Sequence, residues 1–340
     1  MPDQLIADVF NSDVFSATSL VAAYIKAKPQ PTQIGDMGLF TSNGIFTRTV
    51  MVEEQEGQLT LIPDTAPGSP GDALGRQSRK AFSFVARHYQ RETAVYASEL
   101  IGVRAFGLAN SLESLATVIA QRLAILRRQH DTTLEFQRMG AIVGKIYQAD
   151  GVTLLVDLHA GFGVSQITEN LVLTDANFDI RGAATKIRRD IQGLGVTYAG
   201  LHAFCSPTFI DAFVQHPYVK AALQYQEGRK NLADMARDGI PVANIMWQEY
   251  EKGLVGGVNF IPDGEAYVVP TGAMVESGPL FQTSFAPSDM IADQGTIGQP
   301  IYVKPFMDPS GLDKFIGIHT QANPISLCVR PDAVIRITRS

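Results

Sequence analysis

Only two cysteines, Cys205 and Cys328, occur in 340 residues. They lie far apart in the chain, which excludes both a disulfide framework and the CxxC spacing of a structural zinc site. No apolar run reaches the roughly 18 residues that a membrane-spanning helix needs. The start, Met1-Pro2-Asp3-Gln4-Leu5-Ile6-Ala7-Asp8, lacks the basic stretch and apolar run of a secretion signal, so synthesis and folding in a reducing cytoplasm are expected. Positive charge is also scarce: 28 Lys plus Arg stand against 34 Asp plus Glu, a net charge of −6. The deficit sits late, with 14 basic against 15 acidic residues in 1–150 and 14 against 19 in 151–340. A chain that gripped nucleic acid by counterion release would be basic, so that class is disfavoured.

Catalytic signatures are equally thin. There is no HExxH, Ser165 has no GxSxG surround, and Gly161-Phe162-Gly163-Val164-Ser165 lacks the third glycine and the Lys-Ser/Thr pair of a phosphate loop. Asp157 and His159 have the i, i+2 spacing that would place both on one strand face, the best hint of a metal-assisted hydrolase, but no third ligand accompanies them. His202 and Cys205, three apart on a strand, point to opposite faces and make no thiol–base pair. His130 falls on an apolar helix stripe, where a packed histidine is the simpler reading. Lys186, Arg188 and Arg189 are balanced by Asp179 and Asp190 and read as a solvated helix face. These readings leave no catalytic, cofactor or metal residues to assign.

What the chain does contain is core and turns: 45% hydrophobic residues, 18% charged, 30 glycines and 18 prolines. That balance excludes global disorder and implies substantial β structure. A short helix is expected over Ala17–Lys28, capped by Ser16 and stopped by Pro29 and Pro31. Ile45–Glu53 reads as a strand, with Glu56-Gly57 as turn and Gln58–Ile62 as a returning partner. Residues 63–80 carry three prolines and three glycines without a period. Ala81–Tyr89 resumes a strand, with Phe82, Phe84 and Ala86 on one face. An excursion of this kind exposes apolar side chains such as Phe46, Val50, Phe82 and Phe84, and this favours cover by a second copy.

A long helix is expected over Ser111–Arg138, capped by Asn110 with Glu113 three residues on. Leu112, Leu115, Ile119, Leu123, Leu126, His130 and Leu134 form its stripe, and Gln121, Arg122, Arg128, Gln129 and Glu135 its polar face. Strands follow at Val152–Leu158, Leu171–Leu173, Leu201–Cys205, Val242–Tyr250 and Ala266–Pro270. Among them come a helix capped by Asp179 and closed by Gly195, and another opened by Ser206-Pro207. Sheet signals close the chain at Ile301–Lys304, Phe315–His319, Ile325–Arg330 and Ala333–Arg339.

This order of elements, together with a series of short motifs, resembles the lambda-like capsid protein E family of tailed-bacteriophage major capsid proteins. The motifs are Trp247 with Tyr250 and Gly253, Asp263-Gly-Glu-Ala-Tyr267-Val-Val-Pro270, Phe285-Ala-Pro287, Gly298-x-Pro300-x-Tyr302, Gln321-Ala-Asn323-Pro324 and Cys328-Val-Arg330-Pro331-Asp332. The resemblance implies an α+β, HK97-like capsid fold: an N-terminal arm over 1–36, an extended β-hairpin loop over 37–105, a peripheral domain with its spine helix over 106–160, an axial α+β domain over 161–285, and closing strands over 286–340. It further implies a non-enzymatic subunit that forms pentamers and hexamers of an icosahedral head around double-stranded DNA, without sequence-specific binding and without membrane contact. A decoration protein, a portal and a separate scaffolding protein are the implied partners. Lys80 is the only lysine in 37–105, and no covalent cross-link through that loop is assigned. A nanocompartment shell around an enzyme cargo, or the Asp157/His159 hydrolase, are the alternatives.

Overall fold

The computed structural model describes residues 16–28, 32–55, 79–96, 98, 111–224, 239–251, 254–275, 278–312 and 314–340, without the side chains of 53–55, 79–80 and 111–116. Six strands form the largest sheet, in the order Thr168–Leu171, Ile335–Arg339, Glu265–Thr271, Gly200–Cys205, Ile245–Glu249, Ile240–Val242. Two neighbouring pairs are parallel, the first two strands and Gly200–Cys205 with Ile245–Glu249; the other pairs are antiparallel. Parallel neighbours require crossovers: helix Pro207–Gln215 lies in the one between Gly200–Cys205 and Ile245–Glu249, whereas helix Ile180–Gly193 joins Thr168–Leu171 to Gly200–Cys205, three places along the sheet. Asp179 caps the first helix by accepting from the Gly182 backbone N–H at 2.9 Å, and Gly195 leaves it at φ 72°. Against the sheet, Trp247 stacks on Phe213 at 4.4 Å and on Phe209 at 6.1 Å, forming the centre of an apolar core with Leu201, Ala203, Cys205 and Ile337.

The expected strand Val242–Tyr250 is in fact a hairpin. Ala243 and Asn244 take φ of 53° and 63°, a two-residue turn whose left-handed backbone matches the strand twist, and Trp247 then lies opposite Ile240. The strand expected at Leu171–Leu173 ends at Leu171, and Ala333–Arg339 begins its pairing only at Ile335, after a 3-10 turn over Pro331–Ala333.

The spine helix runs Ser111–Val143, 33 residues or about 50 Å, past the expected end at Arg138. The segment Met139–Val143 is wholly apolar or glycine, so the helix continues into the core instead of stopping. Ile119, Leu123 and Leu126 pack against Leu20 and Tyr24 of helix Ala17–Lys26 and against Val95, Ile316 and Ile318. The last three belong to a sheet ordered Tyr302–Met307, Phe315–Ala322, Tyr89–Tyr96. Arg127 of the spine donates to the carbonyls of Tyr24, Ile25 and Ala27 at the C-terminal end of the short helix, where carbonyls run out of intrahelical donors. This part of the expected arm therefore rests on its own chain. Asn110 lies outside the described residues.

Thr49–Gln55 pairs antiparallel with Arg79–Val85, Thr49 opposite Val85 and Gln55 opposite Arg79. The expected partner Gln58–Ile62 lies outside the described residues, together with most of the Pro/Gly stretch. The expected strand Ala81–Tyr89 is split: one strand ends at Val85, and the next, Tyr89–Tyr96, joins the spine-helix sheet. The facing was read correctly, because Phe82 and Phe84 each meet Phe162 at 5.0 Å. Their cover was not. Val50, Val52 and Phe84 are buried against the chain's own body, while Phe46, Met51 and Val85 stay exposed. A third sheet, Thr41–Gly44, Phe281–Phe285, Pro324–Cys328, ties the root of this ribbon to the closing strands.

Candidate assembly surfaces and buried joints

Asp157 and His159 do not share a strand face. The strand Leu154–Asp157 ends at the aspartate, which becomes the N-cap of helix Leu158–Phe162 and accepts from the Ala160 N–H at 3.0 Å. His159, the second residue of that helix, packs on Gly144, where any added Cβ would collide with its ring. Burial lowers its pKa. Among the described residues no three His, Cys, Asp or Glu side chains gather as a metal site requires. Cys205 and Cys328 are buried thiols whose pKa burial pushes up, the opposite of an activated nucleophile. His202 is buried against Phe204 at 4.6 Å, and burial depresses its pKa to about 4. His130 is likewise buried and depressed to about 4, with its Nε2 at 3.0 Å from Thr320 Oγ1.

The C-terminal motifs act as fasteners between elements distant in sequence. Asn323 Nδ2 donates to the Pro287 carbonyl at 2.6 Å, and its Oδ1 is 2.9 Å from His88 Nδ1. Arg330 donates to the Leu194 carbonyl at 2.8 Å and meets Asp332 at 3.2 Å, pinning the closing strands to the end of helix Ile180–Gly193. Tyr267 donates to Glu265 at 2.6 Å, and Arg336 from the neighbouring strand pairs with the same carboxylate. Gly264, at φ 75°, donates its N–H to Ser206 Oγ and Thr208 Oγ1.

One joint escaped the sequence reading. Glu135, expected on the polar outer face of the spine helix, is 3% exposed. Its carboxylate accepts from the N–H of Ile34 at 2.7 Å, the N–H of Gly35 at 3.3 Å and the hydroxyl of Tyr250 at 3.0 Å. Desolvation raises its pKa against the pull of those donors and of Arg138, whose own pKa burial lowers. Arg138 lies over the Phe40 ring and reaches toward Thr283. The signal available in the sequence was the apolar run after Arg138, which carries this end of the helix inside.

Exposed apolar side chains sit on braced elements. Ile291 is 95% exposed on a loop held by Asp293, which accepts from Ser288 at 2.5 Å and pairs with Lys304 at 3.2 Å. Ile297 and Phe46 are exposed on strands of chain joined by the Gly298 N–H to Ile45 carbonyl bond, 2.9 Å. Val152, on a turn closed by Asp150, and Val255, on a Gly256-Gly257 turn, show two further tips.

Residues 16–339 match the phage major capsid protein E family. The chain is 26% identical over 321 residues to the major capsid protein of Pseudomonas phage KPP10, covering 88% of this chain and 90% of the relative. It is 25% identical over 345 residues to the major capsid protein of Salmonella phage Felix O1, covering 89% and 90%. Among solved structures, a subunit of the mature capsid of bacteriophage PhiM1 aligns with a TM-score of 0.51 at 14% identity, covering 88% of this chain and 85% of that one, a likeness of fold.

Proposed function

Because the chain belongs to the phage major capsid protein E family and is a structural protein of the head shell, with the HK97-like α+β capsid fold, we propose that it closes that shell as pentamers and hexamers around packaged double-stranded DNA. The observation that carries this reading is the family match across nearly the whole chain, from 16 to 339. In it, residues 1–36 are the arm, 37–105 the extended loop, 106–160 the peripheral domain with the spine helix, 161–285 the axial domain and 286–340 the closing strands. The six-stranded sheet and its two crossover helices would gather about the symmetry axis, and the spine helix would bridge outward to neighbouring copies.

Self-association into a shell follows from the family; the particular contacts are our assignment. Phe46, Met51, Val85, Ile291 and Ile297 are placed between copies, because apolar side chains held out on braced elements mark interaction sites. A decoration protein, a portal and a separate scaffolding protein complete the proposed set of partners. The DNA is enclosed without sequence-specific contact, in keeping with a net charge of −6 per copy. The role is structural, not enzymatic: Asp157 serves as a helix cap and His159 as packing. Assembly takes place in the host cytoplasm, and among the described residues no helix is long and apolar enough to cross a membrane.

Negative-stain electron microscopy of the overexpressed full chain tests the reading. Closed shells or capsomers are the expected outcome. A protein that stays strictly monomeric at high concentration would sink it.

A further inference from the structure

Three segments far apart in sequence converge on one buried carboxylate. The entering segment brings the backbone N–H groups of Ile34 and Gly35, the spine helix brings Glu135 and Arg138, and the end of strand Ile245–Glu249 brings the hydroxyl of Tyr250. The same two outer segments touch once more where Gln33 Nε2 donates to the Glu249 carbonyl at 3.1 Å. Ile34 and Tyr250 are at most 1% exposed, so Glu135 has no water to replace a lost partner. Beyond the joint, the entering segment continues through Phe40, which packs on Phe281 at 5.2 Å, into Thr41–Gly44 and the ribbon.

We propose that Glu135 is a latch: it fastens the segment 32–40 and the end of strand Ile245–Glu249 to the spine helix, and unfastening it frees that segment from the central core while the cores under the crossover helices and beside helix Ala17–Lys26 stay folded. Two of the three cores support this division, because the stacked Phe209, Phe213 and Trp247 and the Leu20, Leu123 and Ile318 cluster make no use of the joint, whereas Ile34, Phe40 and Tyr250 belong to the central core. Glu135 is a positioning residue. It sets how the six-stranded sheet sits on the spine helix and how the chain enters the ribbon, and only that consequence for particle geometry rests on the shell reading. The charged and titratable groups facing it are Arg138 on its own helix, with Asp131 acting on Arg138, and Tyr250 from the strand end; the entering segment faces it with backbone. A carboxyl whose pKa is raised on burial favours the fastened state below its unfolded pKa and loses that preference as pH rises through the folded value.

Hydrogen exchange on the full-length chain, read by peptide in unassembled subunits, tests the latch. Glu135→Ala takes the shared acceptor away from the N–H groups of Ile34 and Gly35, so it should accelerate exchange in 32–40 by about tenfold or more while 200–205 and 265–271 keep their protection. In the wild type, exchange of 32–40 should rise with pH beyond the base catalysis common to all amides. Glu135→Gln, which keeps an acceptor and cannot ionise, should show only that common part. Should Glu135→Ala not fold, Tyr250→Phe, which removes one donor with little change of volume, carries the same test. Equal acceleration in every peptide, or none in 32–40, overturns the proposal. Local release in the variant alongside a wild type that never assembles would count against the shell reading and leave the latch standing.

Discussion

In the six-stranded sheet both faces are covered. Ala203, Cys205, Trp247 and Ile337 lie under the crossover helices, while Phe204, Tyr267 and Val269 enter the central core from the other side. The ribbon of Thr49–Gln55 and Arg79–Val85 is covered on one face only: Val50, Val52 and Phe84 pack inward, while Met51 is 69% and Val85 53% exposed. Both regions obey the same alternation of side chains along a strand. They differ in where the second face finds its cover. The sheet supplies its own from helices a few residues away, whereas the ribbon's outer face has no cover among the described residues. Isolated two-stranded hairpins are marginal in water, so the inward packing is what makes the ribbon stable enough to present that outer face.

The largest expected effect lies in the fully covered region. Trp247→Ala removes the middle of a three-ring stack and should cost about 3–5 kcal/mol in denaturant unfolding of the unassembled subunit. A loss near 1 kcal/mol would mean that the stack is not the centre of that core. Next comes Phe84→Ala on the ribbon's inward face, expected at about 2–3 kcal/mol because Phe162 remains to close over part of the space. If it matches Trp247→Ala, the two regions are equally dependent on burial and the contrast fails.

The buried histidines test the spine-helix core by pH. Burial depresses the pKa of His130 from the ordinary histidine value of 6.5 to about 4, so its contribution is complete above pH 6.5 and is lost as pH falls toward 4. Across that window stability should decline by on the order of 1 kcal/mol per pH unit. His130→Asn should flatten part of the decline in calorimetric scans between pH 7 and 4, and an unchanged slope would show that His130 is not its source.

Met51→Asp sharpens the comparison most directly. The side chain points away from the body, so subunit melting should stay within about 0.5 kcal/mol of wild type, as for surface substitutions generally, while the yield of particles falls. Normal particle yield would remove Met51 from the proposed contacts. The smallest effect is expected at Lys186→Ala, which breaks the exposed pair with Glu169 at 2.5 Å and should leave the melting temperature unchanged within error.

The readable parts of the chain were those in which neighbours in sequence are neighbours in space. Asp179 and Gly195 marked a helix's two ends, Ser206-Pro207 opened the next, and the alternation at Phe82, Phe84 and Ala86 gave the inward face of a strand. Misreadings fell where the outcome depends on a partner elsewhere. Val242–Tyr250 looked continuous because apolar pattern does not reveal a turn built on left-handed Ala243 and Asn244. Ala81–Tyr89 looked like one strand because nothing local records that Tyr89 pairs with Ala322 in a different sheet. Asp157 and His159 looked like a pair because the change from strand to helix falls between them.

Composition, periodicity and the order of elements by themselves determined an α+β chain with a long spine helix, an elongated early hairpin and a compact late sheet. These are properties of spacing and side-chain chemistry along a few consecutive turns or strands. Only the tertiary structure decided that Val50 and Phe84 are sheltered by their own body, that Glu135 is an interior joint, and that the final strand, Ile335–Arg339, closes a sheet begun at Thr168. The reason is that a long-range contact is fixed by the burial and hydrogen bonding of two remote segments together, and neither segment carries a local record of the other.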